Sequence, residues 1–191
     1  PNFYLDESKP LFAFIGRLVY EKGTDLLPQV IEKALTQNDI SILILGSGNE
    51  ETQNQLKALI SSHPNYYYAF IGYDEKLSHN IYAGADFLLM PSRVEPCGLN
   101  QMYALRYGTI PIVRSIGGLK DTIIDIDKNG FGITHDEVTI SQITNAINRA
   151  KKLYLNQSKF NRIRKQIMEI DHSWDVSANE YITLYKSLLK N

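Results

Sequence analysis

Short apolar runs alternate with amphipathic stretches along most of this chain. LFAFIG at 11–16 and ISILILG at 40–46 are dense in branched and aromatic side chains and end in glycine. YYYAFIG at 66–72, DFLLM at 86–90 and TIPIV at 109–113 continue the series, and FGIT at 131–134 is a weaker sixth member. Runs that are apolar at nearly every position are what strands buried on both faces require. Between them, Leu26, Leu27, Val30, Ile31 and Ala34 form a helical stripe, and Leu56, Leu59 and Ile60 form another. After Asp74, a predicted N-cap, Leu77, Ile81 and Ala85 recur every four residues. Strands alternating with helices predict a parallel sheet wrapped on both faces, a doubly wound, Rossmann-like α/β domain.

From Thr139 onward the pattern is helical only. Ile140, Ile143, Ile147, Ala150 and Leu153 make one stripe, and Ile163 and Ile167 indicate a shorter second element. A last helix follows Asp171-His172-Ser173, with Trp174, Ala178, Tyr181, Tyr185 and Leu188 on one face. An apolar stripe needs a cover. Packing on this domain is favoured here over docking on a further one.

Composition narrows the ligand class. The 191 residues, 43% hydrophobic, suit one compact domain. With 20 basic and 21 acidic residues the net charge is −1, so neither nucleic acid nor an anionic membrane is expected as a partner. An anionic ligand must instead meet locally placed cations. Cys97 is the only cysteine, which excludes an internal disulfide and a CxxC metal site. That usage fits a reducing compartment, a bacterial cytoplasm or a plastid stroma. No apolar run approaches the roughly 20 residues of a membrane span, and no signal-peptide pattern opens the chain. A start at Pro1 without methionine reads as a piece of a longer protein.

In open parallel sheets, ligands bind beyond the carboxyl ends of the strands, and every notable polar cluster here follows an apolar run. The first is GRLVYEKG at 16–23. Arg17 offers a bidentate fork and Lys22 a compact charge to a pair of phosphates, while Gly16 and Gly23 allow close backbone approach. Taken alone, the segment is more simply an exposed loop with two solvated cations. Gly46-Ser47-Gly48 begins a dinucleotide fingerprint, but Glu51 stands where its third glycine belongs, so a strand-to-helix turn is the simpler reading. Tyr73 follows the third strand and could stack on a base, although the chain has 12 tyrosines.

The most informative cluster is MPSRVEPCGLNQ at 90–101. It leads through a proline-punctuated loop into a helix predicted to begin near Gly98, whose amides can hold a diphosphate oxygen. Glu95 lacks the second carboxylate of a hydrolytic acid–base pair and is expected to accept sugar hydroxyls. Cys97 lacks a histidine partner and is expected as a small buried thiol. Finally, Gly117 and Gly118 either turn consecutive N–H groups toward an anion or form a tight turn.

Together, GRLVYEKG, LGSG, IGYDE, ADFLLMPSRVEPCGLNQMYALRYGTIPIV and GGLKDT occur in the order and spacing of bacterial glycogen synthases and plant starch synthases. EPCGLNQ followed by YALRYGTIP carries most of this specificity. The resemblance runs from Pro10 to Tyr185 and corresponds to the C-terminal half of such enzymes, glycosyltransferase family 5 with the GT-B arrangement of two Rossmann-like domains around a cleft. It implies that 1–191 is the nucleotide-sugar-binding domain, with the N-terminal acceptor-binding domain absent. It also implies retaining transfer of glucose from ADP-glucose to the non-reducing end of an α-1,4-glucan, with no metal or other cofactor. By motif, Arg17 and Lys22 match the cations on the donor diphosphate, and Glu95 matches the carboxylate on the glucose hydroxyls. Cys97, Gly98 and Leu99 match the loop lining sugar and phosphates, and Tyr73 the aromatic beside the nucleotide. The family usually has threonine before GGL, where this chain has Ile116; a hydroxyl contact is lost, leaving the Gly117 and Gly118 amides.

Two other readings compete. A related GT-B enzyme with another donor or acceptor is disfavoured by EPCGLNQ. A non-catalytic nucleotide-sugar-binding or scaffolding module is disfavoured by the joint presence of Arg17, Lys22 and Glu95. ADP-glucose and UDP-glucose both remain open as donors. This half alone is expected to fold and bind nucleotide weakly, without appreciable transfer.

Overall fold

The structure, a computed structural model, describes residues 5, 6 and 8–189; the remaining residues of the predicted 1–191 domain lie outside the described ones. Six strands form one parallel sheet: β1 (Leu11–Leu18), β2 (Ser41–Gly48), β3 (Tyr67–Ile71), β4 (Phe87–Met90), β5 (Ile110–Arg114) and β6 (Ile133–His135). Their order is β3-β2-β1-β4-β5-β6. The chain builds outward from β1 to β3, crosses back to β4 and builds outward the other way, which makes the boundary between β1 and β4 the topological switch point.

Among the described residues are eight α-helices: α1 (Leu27–Gln37), α2 (Glu50–Ser62), α3 (Glu75–Gly84), α4 (Asn100–Tyr107), α5 (Gly117–Thr122), α6 (Ile140–Leu155) and α7 (Gln157–Met168) connect or cover the strands, and α8 (Trp174–Leu188) follows them. Side-chain oxygens start four of them. Asn49 accepts from the Thr52 N–H, Asp74 from Leu77, Thr139 from Gln142 and Asn156 from Lys159, each satisfying an orphan amide of the first turn. All four β4 residues are buried, as are the first six of β2, which accounts for their unbroken apolar runs. Phe12 of β1 stacks on Phe87 of β4 at 4.8 Å, and Phe87 meets Phe160 of α7 at 5.6 Å. One core thus joins the two halves of the sheet and fastens α7 beneath it. No helix among the described residues is long and apolar enough to cross a membrane.

The ladders flanking β1 are unequal. β1 pairs with β2 over eight residues, from Leu11↔Ser41 to Leu18↔Gly48, but with β4 only at Phe12↔Phe87 and Ala13↔Leu88. β1 and β2 therefore extend past their apolar runs to include Arg17 and Ser47, because backbone pairing continues after the side chains turn polar.

One expectation is met and one is corrected. Helix α4 begins at Asn100 with its N-cap at Leu99, directly after Gly98, which sits at a left-handed φ of +75°. Helix α8 does not pack on this domain: none of its residues is buried, and Trp174 is 87% exposed. Its apolar face is uncovered among the described residues.

At the far edge, Asp125 secures β6. Its buried carboxylate accepts from Arg149 Nη2 at 2.5 Å, the Asp127 N–H at 2.9 Å, and the Thr134 N–H and hydroxyl at 2.7 and 2.8 Å. Burial alone would raise its pKa, but the Arg149 guanidinium and the other donors outweigh it and hold the carboxyl below its ordinary 3.8. A lowered folded-state value contributes stability above the unfolded pKa that is lost as pH falls through the folded one. Urea unfolding should therefore show stability draining below about pH 4, and Asp125→Asn should flatten that limb. An unchanged acid limb in the variant would remove Asp125 as its source.

Candidate functional site

The switch point gathers the loops after β1 and β4. After β1, the chain makes a short 3₁₀ turn, Tyr20–Lys22, and Gly23 follows at φ +70°. A Cβ on Gly23 would lie 2.2 Å from the Pro91 carbonyl, so the approach of this loop to the one after β4 requires glycine. The Glu21 carbonyl accepts from the Arg93 and Val94 N–H groups at 2.7 and 3.1 Å. Arg93 in turn donates to the Tyr20 carbonyl at 2.8 Å, forks onto Asp25 at 2.5 and 2.9 Å, and lies 3.9 Å over the Tyr20 ring. The two loops behave as one unit.

That unit holds an ion pair. Lys22 Nζ contacts Glu95 Oε2, which also accepts from the Ser92 hydroxyl at 3.1 Å. The Glu95 side chain is 8% exposed, so these partners rather than bulk water satisfy its Oε2. Arg17 is exposed, and its guanidinium has no hydrogen-bond or ion-pair partner among the described residues. A cavity of about 220 Å³ is lined by Arg17, Lys22, Glu95, Gly98 and Leu99 together with Gly16 of β1. Asn100, also in its lining, donates to the Ile15 carbonyl at 2.8 Å.

A second hollow of about 570 Å³ shares Gly16, Arg17 and Asn100 with the first and continues past Ser47 to Gly72, Tyr73, His79 and Tyr103. Tyr73 stands at its rim, 85% exposed. The resulting groove follows the carboxyl ends of the strands, with cations at one end and aromatic rings at the other. It matches in shape and chemistry a ligand with a charged centre and a flat ring.

Gly117 and Gly118 lie elsewhere. A Cβ on Gly117 would lie 2.2 Å from the Glu95 carbonyl, and one on Gly118 2.0 Å from that of Cys97. These glycines let α5 press against the back of loop 95–98. The expectation of a free Gly118 amide is corrected: it donates to the Glu95 and Pro96 carbonyls at 3.2 and 3.1 Å. Ile116, at the N-cap of α5, makes no side-chain cap. Cys97 is exposed rather than buried, because its backbone and not its thiol faces the packed side.

Sequence reading missed Ser92, Asn100 and Gln101. Gln101 is fully buried and its Nε2 donates to the Cys97 and Gly98 carbonyls at 3.1 Å each. The available signal was the polar pair Asn100-Gln101 opening an otherwise ordinary helix stripe, directly after the loop.

Comparisons with known proteins identify the family and the fold. Residues 2–167 match the family described as "Glycosyl transferases group 1". The chain is 55% identical over 191 residues to a glycogen synthase of Flavobacterium johnsoniae, covering 99% of this chain and 40% of that protein. It is 45% identical over 180 residues to a glycogen synthase of Thermodesulfovibrio yellowstonii, covering 94% and 35%. The catalytic domain of starch synthase IV from Arabidopsis thaliana, solved bound to ADP and acarbose, superposes with a TM-score of 0.85 at 36% identity, over 96% of this chain and 39% of that one. The sucrose-phosphate synthase of Thermosynechococcus elongatus shares the fold, with a TM-score of 0.71 at 20% identity over 98% and 50% of the two chains. The chain spans about two fifths of the length of the glycogen synthases it matches.

Proposed function

The chain belongs to the group 1 glycosyl transferases, and we propose that it is the nucleotide-sugar-binding half of a retaining glucosyltransferase that extends an α-1,4-glucan from ADP-glucose. The observation that carries this reading is the convergence of Arg17, Lys22 and Glu95 on one cavity at the switch point. Cleavage of a sugar–diphosphate bond develops negative charge on the departing diphosphate, and fixed cations there favour the transition state. Arg17 and Lys22 supply that charge, and no metal is required of them. A diphosphate beside Lys22 competes with Glu95 for the ammonium and frees the carboxylate to accept hydroxyls of the transferred glucose. Tyr73 and the rings beyond it lie where the base extends, and the Cys97, Gly98 and Leu99 backbone lies along the phosphates.

The other wall of the cleft is assigned to an acceptor-binding domain outside this chain. Two facts support that assignment: the glycogen synthases it resembles are longer by more than half their length, and α8 carries an uncovered apolar face. The chain by itself is then expected to bind donor without extending glucan.

Calorimetric titration with ADP, UDP and ADP-glucose tests the reading. Saturable ADP binding stronger than UDP binding is expected, weakened about tenfold by Arg17→Ala through loss of one charged contact. A preference for UDP would move the donor assignment. Equal ADP affinity in Arg17→Ala would remove the diphosphate from this cavity.

A further inference from the structure

Four successive carbonyls of the loop after β4 are engaged from one side. The Gly118 N–H takes those of Glu95 and Pro96, and Gln101 Nε2 takes those of Cys97 and Gly98. Nε2 also meets Thr122 Oγ1 at 3.3 Å, and the Thr122 hydroxyl donates to the Gly118 carbonyl at 2.6 Å. Gln101 on α4 and Thr122 on α5 are thus two parts of one clamp.

A trans peptide points its N–H opposite to its C=O. Holding the Pro96, Cys97 and Gly98 carbonyls therefore fixes the N–H groups of Cys97, Gly98 and Leu99 on the other side, away from Gln101 and α5. None of these three amides donates to another group among the described residues. Gly98 and Leu99 line the cavity that also holds Arg17 and Lys22.

The clamp has a cost. Gln101 Oε1 is buried without a partner, a state that proteins generally avoid. Turning the amide over would not help, because Oε1 would then face the two carbonyls that Nε2 now serves. A methionine would fill similar space with no orphaned oxygen, but it could not hold the loop.

We infer that Gln101 is a positioning residue that aims the Cys97, Gly98 and Leu99 amides at the donor diphosphate, an inference resting on the nucleotide-binding reading above. It acts through the backbone and touches no ligand itself. Its partner in this role is Thr122, one bond further from the loop.

Titration of the chain with ADP and with adenosine, alongside thermal unfolding, provides the test. Gln101→Met should weaken ADP binding about tenfold or more, the loss of one or two amide contacts to an anion, and leave adenosine binding within about twofold. Gln101→Glu should do the same, because a carboxylate repels the carbonyls it replaces a donor for. Thr122→Val should weaken ADP binding less, and it carries the test if neither Gln101 variant folds. A merely structural role would lower ADP affinity, adenosine affinity and melting temperature together, and that result would overturn the inference. So would ADP affinity retained in folded Gln101→Met. Failure of the unaltered chain to bind ADP would instead reject the nucleotide reading, and this inference with it.

Discussion

Exchanged for the corresponding segment of the Flavobacterium johnsoniae glycogen synthase, this chain should support glucan extension from ADP-glucose, and Lys22→Ala in that hybrid should lower kcat by about 10²–10³-fold. The 55% identity over the whole exchanged segment makes the hybrid a fair host. The size of the effect has two sources. On the proposed function, Lys22 places a positive charge where the departing diphosphate gains negative charge, which is worth most in a site closed to water. It is also the cationic partner of a buried carboxylate, so its loss leaves Glu95 with only the Ser92 hydroxyl. Arg17→Ala should cost less, because the exposed guanidinium has no internal partner to strand. A hybrid whose Lys22→Ala form retains kcat within about threefold would remove Lys22 from the chemical step.

Gly118→Val should lower both stability and nucleotide affinity. The new Cβ would stand 2.0 Å from the Cys97 carbonyl, and the obstacle is backbone, not a side chain that can swing aside. Either α5 or loop 95–98 must move, and overpacking of this kind costs roughly 1–3 kcal/mol or more. For a domain of this size the melting temperature should fall by roughly 5 °C or more. ADP affinity should fall further than stability alone explains, because the displaced loop carries Glu95 and the Gly98 and Leu99 backbone. Cys97→Ser is the matched control: the thiol is exposed, so both quantities should stay near those of the parent chain. Nucleotide binding that survives Gly118→Val would show that the loop can shift without harm to the site.

The sheet was legible because its strands are buried on both faces, and an apolar run at 40–46 or 86–90 has no other economical explanation. The side of the sheet that carries the two cavities was legible too, since the polar clusters all follow such runs. What local pattern could not show was the partner of each group. Glu95 meets Lys22 across 73 positions of sequence, and Gly118 meets Glu95 and Pro96 through a contact between separate connections. Cys97 misled for a related reason. A lone small apolar residue is usually buried, but here the surrounding carbonyls occupy the packed side and turn the thiol outward. Helix α8 misled differently: its stripe was read correctly, while the surface that would cover it is not among the described residues.

The short ladder between β1 and β4 has one further consequence. After Ala13↔Leu88 the two strands part, and β4 ends at Met90 because Pro91 has no N–H to offer as the next rung. The Ile15 carbonyl, left without a strand neighbour on that side, is taken by the Asn100 side chain. A side-chain amide thus stands in for a missing strand and lets the sheet stay open like an unzipped seam, its backbone still satisfied. Room for a ligand here is a matter of strand length: two more rungs between β1 and β4 would sew the groove shut.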